Sequence, residues 1–494
     1  MKHVIIIGGG ITGLAAAHQL QKQAQAEDIP LSYTLIESDT RVGGKIKTEY
    51  PDGFVIDGGP DCFLSRKPWA IQMCRELGLE DELMGTNDDN RKTFVLNQGK
   101  LTPLPDGVLL IIPTKMAPFA ASRLISWPGK IRMGMDLFIP AKKDDSDETV
   151  ASFVRRRLGQ EALDKIAEPL MSGIHISDPE RQSLLGSFPR FREMEKKHGS
   201  LIRSMLAQRK AGAAHKSSSN GSKPLSMFMT LKKGLGQFVK AIEDSLTGDV
   251  VTGKQVTKVE RISGMNGTGE EPRYRVRTAQ GDVYEGDAVI MATPSYAAAG
   301  MIEELLPNLA TALNRIRYVT TATVSLGFRY EDIGSQFGGF GFVVPRKEYR
   351  KITGCTWTST KFNHRTTEDT LLLRCFIGGP GHEHLAEKED GELVKMVRQE
   401  LRSIMGLHAN PILTRNYRWN RANPQYDVGH LDRVAEMKEM AKEQPGILLA
   451  GSAYDGVGVP DCVRQGQEAA DEIIELLQKQ ESQESSVESK VVGA

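Results

Sequence analysis

Positions 3–7 (His-Val-Ile-Ile-Ile) are β-branched apart from His3 and end at Gly8-Gly9-Gly10. An unbroken apolar run closed by glycine predicts a strand buried on both faces. From Ile11 to Gln25 the pattern turns to Ala, Leu and Gln, which predicts a helix, and Tyr33–Glu37 predicts a second strand. Strand, glycine turn, helix and strand between positions 3 and 37 make a βαβ unit at the N-terminus. The predicted class is α/β for this part and α+β for the whole chain.

Further along, residues 151–210 read as helical and charged, with Arg155-Arg156-Arg157 and Glu193–His198 expected on solvated faces. Ala211–Pro224 (AGAAHKSSSNGSKP) is small, polar and aperiodic, the composition of a flexible loop or crossover. After the Gly234/Gly236 turn a helix is predicted to about Ser245. Strands follow near 249–262, 273–278 and 283–292, with more at 318–330 and 369–377, and a helix at Val394–Met405. A last strand, Ile447–Ala450, leads through Gly451–Asp461 into a helix ending near Lys479. The Glu/Ser/Gln-rich tail from Gln480 is expected to be disordered.

Composition narrows the classes. At 494 residues the chain is long enough for two or three domains. Lys+Arg and Asp+Glu are both 63, so no basic excess marks a nucleic-acid binder. Five cysteines without a CxxC pair read as reduced thiols of a cytosolic protein. The apolar run at the start is too short for a signal-peptide core, and the later run Val108–Ile112 stops at Pro113, so a cytoplasmic chain is expected.

Chemistry begins at the first turn. Gly8-Gly9-Gly10-Ile11-Thr12-Gly13-Leu14 fits G-x-G-x-x-G: Gly8 for the turn, Gly10 for approach of backbone to a pyrophosphate, and Gly13 for helix–strand packing. The amides that open the helix then face the phosphates. Glu37, followed by Ser38, ends the second strand, where a carboxylate accepts hydrogen bonds from both ribose hydroxyls and argues against a 2′-phosphate. Arg41-Val42-Gly43-Gly44-Lys45 resembles the R-x-G-G continuation of the glutathione-reductase-like FAD proteins, with Arg41 or Lys45 offering positive charge. Asp287–Pro294 reads as a buried strand ending in a small-residue turn. Gly456-Val457-Gly458-Val459 leads into a helix beginning near Asp461, whose N-terminus can face the flavin pyrimidine ring. These segments point to FAD rather than NAD. No second strand–GxGxxG–helix appears; Gly264–Gly269 reads as a hairpin loop. His382-Glu383-His384 lacks a third ligand and reads as a surface loop, so no metal is expected.

Eight segments carry a closer resemblance: GGGITGLAAA (8–17), RVGGKI (41–46), DGGPDCFLSRK (57–67), IPTKMAPF (112–119), EPLMSGIHISDP (168–179), KKHGSLI (196–202), WNRANPQYDVGH (419–430) and AGSAYDGVGVPDC (450–462). Together they resemble the protoporphyrinogen and coproporphyrinogen oxidases, and more distantly the amine oxidases and phytoene desaturases. The resemblance implies a discontinuous FAD domain (1–94, 225–298 and 419–479), a helical insert (95–215), a mixed-sheet substrate domain (299–418) and the tail 480–494. It places flavin contacts at Gly59, Pro60, Asp61 and Cys62, the last where the family commonly has serine. It adds Trp419, and Val256 beside the adenine. A propionate-binding cation is implied at Arg66 or Lys67, and a pocket wall at Ile174, His175 and Ile176. The implied reaction is oxidation of coproporphyrinogen III by non-covalent FAD, with oxygen as acceptor and peroxide as product. Protoporphyrinogen IX is a further substrate of the same reading. Contact with a ferrochelatase and at most peripheral contact with a membrane belong to the same expectation. An amine oxidase or carotenoid desaturase, and a non-catalytic porphyrin-binding flavoprotein, are the alternatives.

Overall fold

The computed structural model describes residues 1–87, 89, 91–105, 107–109, 112–113, 116–215, 225–262, 273–333 and 337–492. The predicted βαβ unit is present: β1 (Lys2–Ile7), α1 (Ile11–Ala26) and β2 (Leu31–Ile36), with β1 and β2 parallel. Three later segments join them, β3 (Asp249–Val251), β4 (Ala288–Met291) and β5 (Ile447–Leu449), giving a parallel five-stranded sheet in the order β3-β2-β1-β4-β5. Because side chains alternate across a strand, Val4 and Ile6 enter one apolar core and Ile5 and Ile7 another. Both faces of β1 are thus covered, which is why its sequence is apolar without alternation.

A second, seven-stranded sheet runs through Tyr318–Arg329, Thr370–Gly378 and Leu413–Pro424. Its far edge is formed by Thr93–Asn97 and Lys100–Pro103, so the segment expected to open the helical insert pairs onto this sheet as strands instead.

The insert itself contains α2 (Trp127–Gly134), α3 (Val150–Arg157), α4 (Glu168–His175), α5 (Pro189–His198) and α6 (Leu201–His215) around their own apolar core. Here the structure corrects the sequence reading. Arg157, Asp136 and Glu195 are fully buried rather than solvated. Arg157 donates from Nε to Asp136 at 2.6 Å, Arg156 from Nη1 to Glu195 at 2.5 Å, and Arg192 from Nη1 to Glu195 at 2.7 Å. Ser200 and the Ile202 amide complete the Asp136 carboxylate at 2.5 and 3.0 Å. Buried charges persist only when paired and hydrogen-bonded, and these are. Helix α6 occupies the first part of the expected crossover loop, while 216–224 and the expected hairpin loop Gly264–Gly269 lie outside the described residues.

The last helix, α7 (Val459–Val492), packs on α1, where a Cβ at Gly466 would stand 2.2 Å from the Thr12 carbonyl oxygen. It starts two residues before Asp461 and runs through the tail expected to be disordered. No Gly or Pro lies between Gly466 and Gly493 to stop it.

Candidate functional site

The turn after β1 forms a cradle. Gly8 has φ +107°, and a Cβ there would press on the Ala292 carbonyl at 2.8 Å, so the turn lies against the end of β4. Gly13 would place a Cβ 1.9 Å from the Gly8 carbonyl oxygen, so only glycine lets α1 start so close to the strand. At Gly10 the added atom meets nothing within 4 Å. That glycine faces open space, as it must if something else fills the cradle. Gly10 is also the N-cap of α1, no side chain caps it, and the first turn (Ile11, Thr12, Gly13) carries no acidic residue. The helix therefore presents unpaired amides toward the cradle.

Glu37 borders it. Its carboxylate accepts from the Gly9 amide at 2.6 Å and from the Asp39 amide and Ser38 hydroxyl at 2.8 and 3.0 Å. Its backbone is bound by Val251 and Lys254, which brings the strand beginning at Val256, a buried residue, close by. Across the cradle, Gly43 donates to Gly9 at 2.7 Å, and Gly44 has φ +53° beside the Gly10 Cα. Arg41 departs from its expected role: its guanidinium donates to the carbonyls of Val42, Gly44 and Ile46, so it shapes the loop. Lys45 donates to Ala422 O at 2.8 Å and Ser452 Oγ at 3.3 Å, and burial lowers its pKa.

Gly58–Cys62 forms the next wall, clamped from the seven-stranded sheet. The Gly58 carbonyl accepts from Trp419 Nε1 at 3.0 Å, Arg374 Nη2 at 3.0 Å and Thr323 Oγ1 at 3.2 Å, and Arg374 also reaches Gly59. Trp419 thus lies against this wall and not against the adenine end of the cradle. Lys361 donates to Asp61 at 3.1 Å and to Cys62 Sγ at 3.6 Å. Burial works to raise the Asp61 pKa, but Lys361 and Arg374 outweigh it and hold the carboxyl well below its usual range. Burial also pushes the Cys62 thiol up to about 12. Sequence reasoning missed Thr323, Lys361 and Arg374, because nothing local marks them as neighbours of Gly58–Cys62.

The C-terminal turn completes the site. Gln465 accepts from the Gly451 and Asp455 amides and donates to Asp455, Gly456 and Asp461 carbonyls. Tyr426 donates to Ser452 O at 2.8 Å and accepts from the Gly456 amide at 2.9 Å, so Gly456-Val457-Gly458 is held from both sides. Val457 is exposed at the tip and Val459 is buried as α7 begins. His430 stacks on Tyr426 with ring centroids 3.7 Å apart, and burial pushes its pKa down to about 4. Tyr426 and His430 lay in a quoted segment, which was the signal available for them.

The expected substrate residues divide. Lys67 is bound to Asp461 at 2.5 and 2.7 Å, whereas Arg66 is exposed with no carboxylate paired to it among the described residues. Pro60 stays half-buried between Gly59 and Asp61. Ile174 and His175 close α4, and their side chains lie outside the described residues, as do Thr114 and Lys115 of the 112–119 segment. Ile176 follows with φ +51°, unusual for a β-branched residue. Its carbonyl accepts from Gln425 at 3.0 Å, so the segments 168–179 and 419–430 meet at this point.

The comparisons agree with this arrangement. The family model described as flavin containing amine oxidoreductase matches residues 11–474. The chain is 38% identical to a coproporphyrinogen III oxidase of Bacillus subtilis, covering 96% of this chain and 98% of the relative. A coproporphyrinogen III oxidase of Staphylococcus aureus is 34% identical, covering 96% and 100%. Among solved structures, a protein of Exiguobacterium sp. 255-15 assigned as a protoporphyrinogen oxidase superposes with TM-score 0.83 at 32% identity, over 97% of this chain and 99% of that one. Putrescine oxidase shares the fold at TM-score 0.66 and 18% identity. With a glycine cradle that opens on helix N-terminal amides, in a chain whose residues 11–474 match the family model, this protein is a flavin-dependent oxidoreductase of the flavin containing amine oxidoreductase family.

Proposed function

We infer that the protein oxidises coproporphyrinogen III to coproporphyrin III in haem biosynthesis, with non-covalently bound FAD, oxygen as acceptor and hydrogen peroxide as product. Protoporphyrinogen IX is a second substrate of the same site. The observation that carries this reading is the likeness over 96% of the chain to three bacterial coproporphyrinogen III oxidases at 33–38% identity. In this reading 1–94, 225–298 and 419–479 form a glutathione-reductase-like FAD domain, 299–418 the substrate domain and 95–215 the insert.

FAD supplies the two-electron chemistry, and three rounds of it remove the six hydrogens that separate porphyrinogen from porphyrin. The chain's own residues bind and orient. Amides at Ile11, Thr12 and Gly13 meet the pyrophosphate over Gly10, while Glu37 accepts from the ribose hydroxyls. Gly44 and Lys45 close one side, with Ser38 beside the ribose and Val256 beside the adenine. Gly59, Pro60, Asp61 and Cys62 line the flavin side. Lys361 and Arg374 leave that wall with one net positive charge, which favours an anion next to it. Gly456–Val459 and the start of α7 lie at the pyrimidine end. Arg66 offers its unmatched charge to a propionate, and Ile174, His175 and Ile176 border the macrocycle.

In this reading the protein works in the cytoplasm and passes its product to a ferrochelatase. No helix among the described residues is long and apolar enough to cross a membrane. The test is anaerobic mixing of the purified yellow protein with coproporphyrinogen III and then protoporphyrinogen IX, following flavin bleaching. Bleaching by coproporphyrinogen, then fluorescent porphyrin and peroxide on admitting air, is the expected result. A flavin that stays oxidised with both overturns the reading and directs the search to amines, polyenes or a non-catalytic carrier.

A further inference from the structure

Tyr426 is buried, and its backbone and side chain engage different parts of the molecule. The backbone belongs to the insert. The Tyr426 carbonyl accepts from the Ser183 amide at 2.7 Å, and the Val428 amide donates to the Arg181 carbonyl at 3.0 Å. Gln182 and Asp427 face each other between these bonds as an antiparallel bridge. Asp147 fastens the joint, accepting from the Ser183 hydroxyl at 2.6 Å and from the Gly429 amide at 3.1 Å.

The side chain belongs to the C-terminal turn. Its hydroxyl donates to Ser452 O at 2.8 Å and accepts from the Gly456 amide at 2.9 Å. Gly456 has φ +97°, and a Cβ there would stand 2.4 Å from the Asp461 carboxyl carbon, so the turn has no slack toward α7. A phenol donates and accepts at once only while it keeps its proton. Burial ensures this, holding the Tyr426 phenol well above its usual range. The ring is fixed too: His430 stacks 13° from parallel with it, and His430 Nε2 lies 2.8 Å from the Tyr454 carbonyl oxygen. Ser452, Tyr454 and Gly456 are therefore gripped by one strap, 426–430, that is itself zipped to the insert.

We propose that Tyr426 is a positioning residue, which fixes the turn Gly456–Val459 against the helical insert and thereby sets how readily the bound flavin is reduced. The inference rests on the reading above that the pyrimidine end of the flavin lies at this turn. Reduction adds negative charge there, and amides favour that charge most when they are held in place beforehand. Without the phenol oxygen the Gly456 amide loses its acceptor and the Ser452 carbonyl its donor. The turn then aims its amides less tightly, and the oxidised flavin gains relative to the reduced.

The test needs no porphyrinogen. The flavin-loaded full chain is reduced in equilibrium with a reference dye of known potential, and the reduced fraction of each is read from absorbance. Tyr426→Phe keeps the ring on His430 and loses only the hydroxyl. At a given dye ratio its reduced-to-oxidised flavin ratio is expected to fall about three- to tenfold, the latter equal to ~30 mV for a two-electron couple. Asp147→Ala leaves the hydroxyl and opens the joint to the insert. It is expected to shift the ratio the same way by a smaller factor, and it carries the test if Tyr426→Phe does not fold. Val459→Pro deletes an amide of the turn itself, at the first position of α7, where proline is tolerated, and is expected to shift the ratio too. A role in packing alone would lower the thermal stability of Tyr426→Phe and leave its bound flavin at the wild-type potential, which overturns the proposal. A wild-type potential in Asp147→Ala overturns the link to the insert. An unchanged potential in all three variants means that the pyrimidine end lies elsewhere, and the reading beneath the proposal falls with it.

Discussion

The cradle after β1 and the helical insert teach opposite lessons about charge and spacing. In the cradle the turn glycines and Glu37 all lie between Gly8 and Lys45, and Gly8 and Gly13 sit where a Cβ would clash. In the insert the runs that look like a solvated face hold a buried cluster, assembled from Asp136, Arg156, Arg157, Arg192, Glu195 and Ser200. The first is a site that short-range geometry demands. The second is a core that only the packing of separate helices can recognise.

Four measurements break or sharpen this contrast, the effect on flavin content first and the effects on stability after it, from the largest to the smallest. Gly10→Val places its side chain in open space, so it is expected to leave apo-protein stability unchanged within about 0.5 kcal/mol. It fills the cradle, however, and flavin content read by visible absorbance should fall by at least about tenfold, equal to ~1.4 kcal/mol of binding. If Gly10→Val unfolds the chain instead, the cradle is a packing site and the contrast fails.

Arg157→Met reverses the pattern. It leaves Asp136 and part of the Glu195 charge uncompensated in the interior, at a cost of about 3–5 kcal/mol in urea unfolding. Flavin binding under folded conditions should be unaffected. A loss below about 1 kcal/mol would mean the cluster is hydrated and behaves as a surface pair.

His430 lies where the two regions meet, stacked on Tyr426, whose carbonyl accepts from Ser183. Its folded pKa is pushed down to about 4, while the unfolded chain titrates near 6.5. Between those values the unfolded state binds the extra proton. His430 therefore contributes stability that is complete above pH 6.5 and is lost as pH falls toward 4. His430→Phe is expected to flatten the pH dependence there by up to about 1.4 kcal/mol per pH unit. An unchanged slope would show that the ring takes up its proton as readily in the folded protein as in the unfolded chain.

The smallest effect belongs to Trp419→Phe. The Gly58 carbonyl keeps Arg374 and Thr323, so one lost hydrogen bond should cost about 0.5–1.5 kcal/mol in thermal unfolding. A larger loss, with flavin released, would mean that the indole supports the wall through its ring more than through its Nε1–H.

Legibility followed distance along the chain. Gly8, Gly10, Gly13, Glu37 and Gly44 were readable because a βαβ turn leaves few backbone solutions. Asp61 could be named from its segment, but Lys361 and Arg374, 300 and more positions away, could not, since neither the short helix that ends at Lys361 nor the sheet strand that carries Arg374 has a short-range signature pointing to Asp61. Lys67 was picked out as a cation, but its engagement with Asp461 depended on where α7 begins. The α7 start itself came two residues early, and its long continuation followed from an absence of helix breakers that compositional reading treats as disorder.

From sequence alone came the βαβ unit, the glycine cradle, the glutamate that borders it and the resemblance that runs through eight segments. Each is dictated by backbone sterics or by residues held near one another by the chain itself. The tertiary structure alone decided which charges are buried, which cations are already matched and which apolar side chains reach the surface. A charged or apolar side chain carries the same identity inside and out. Only the elements packed against it determine whether it meets water, a counterion or an open face.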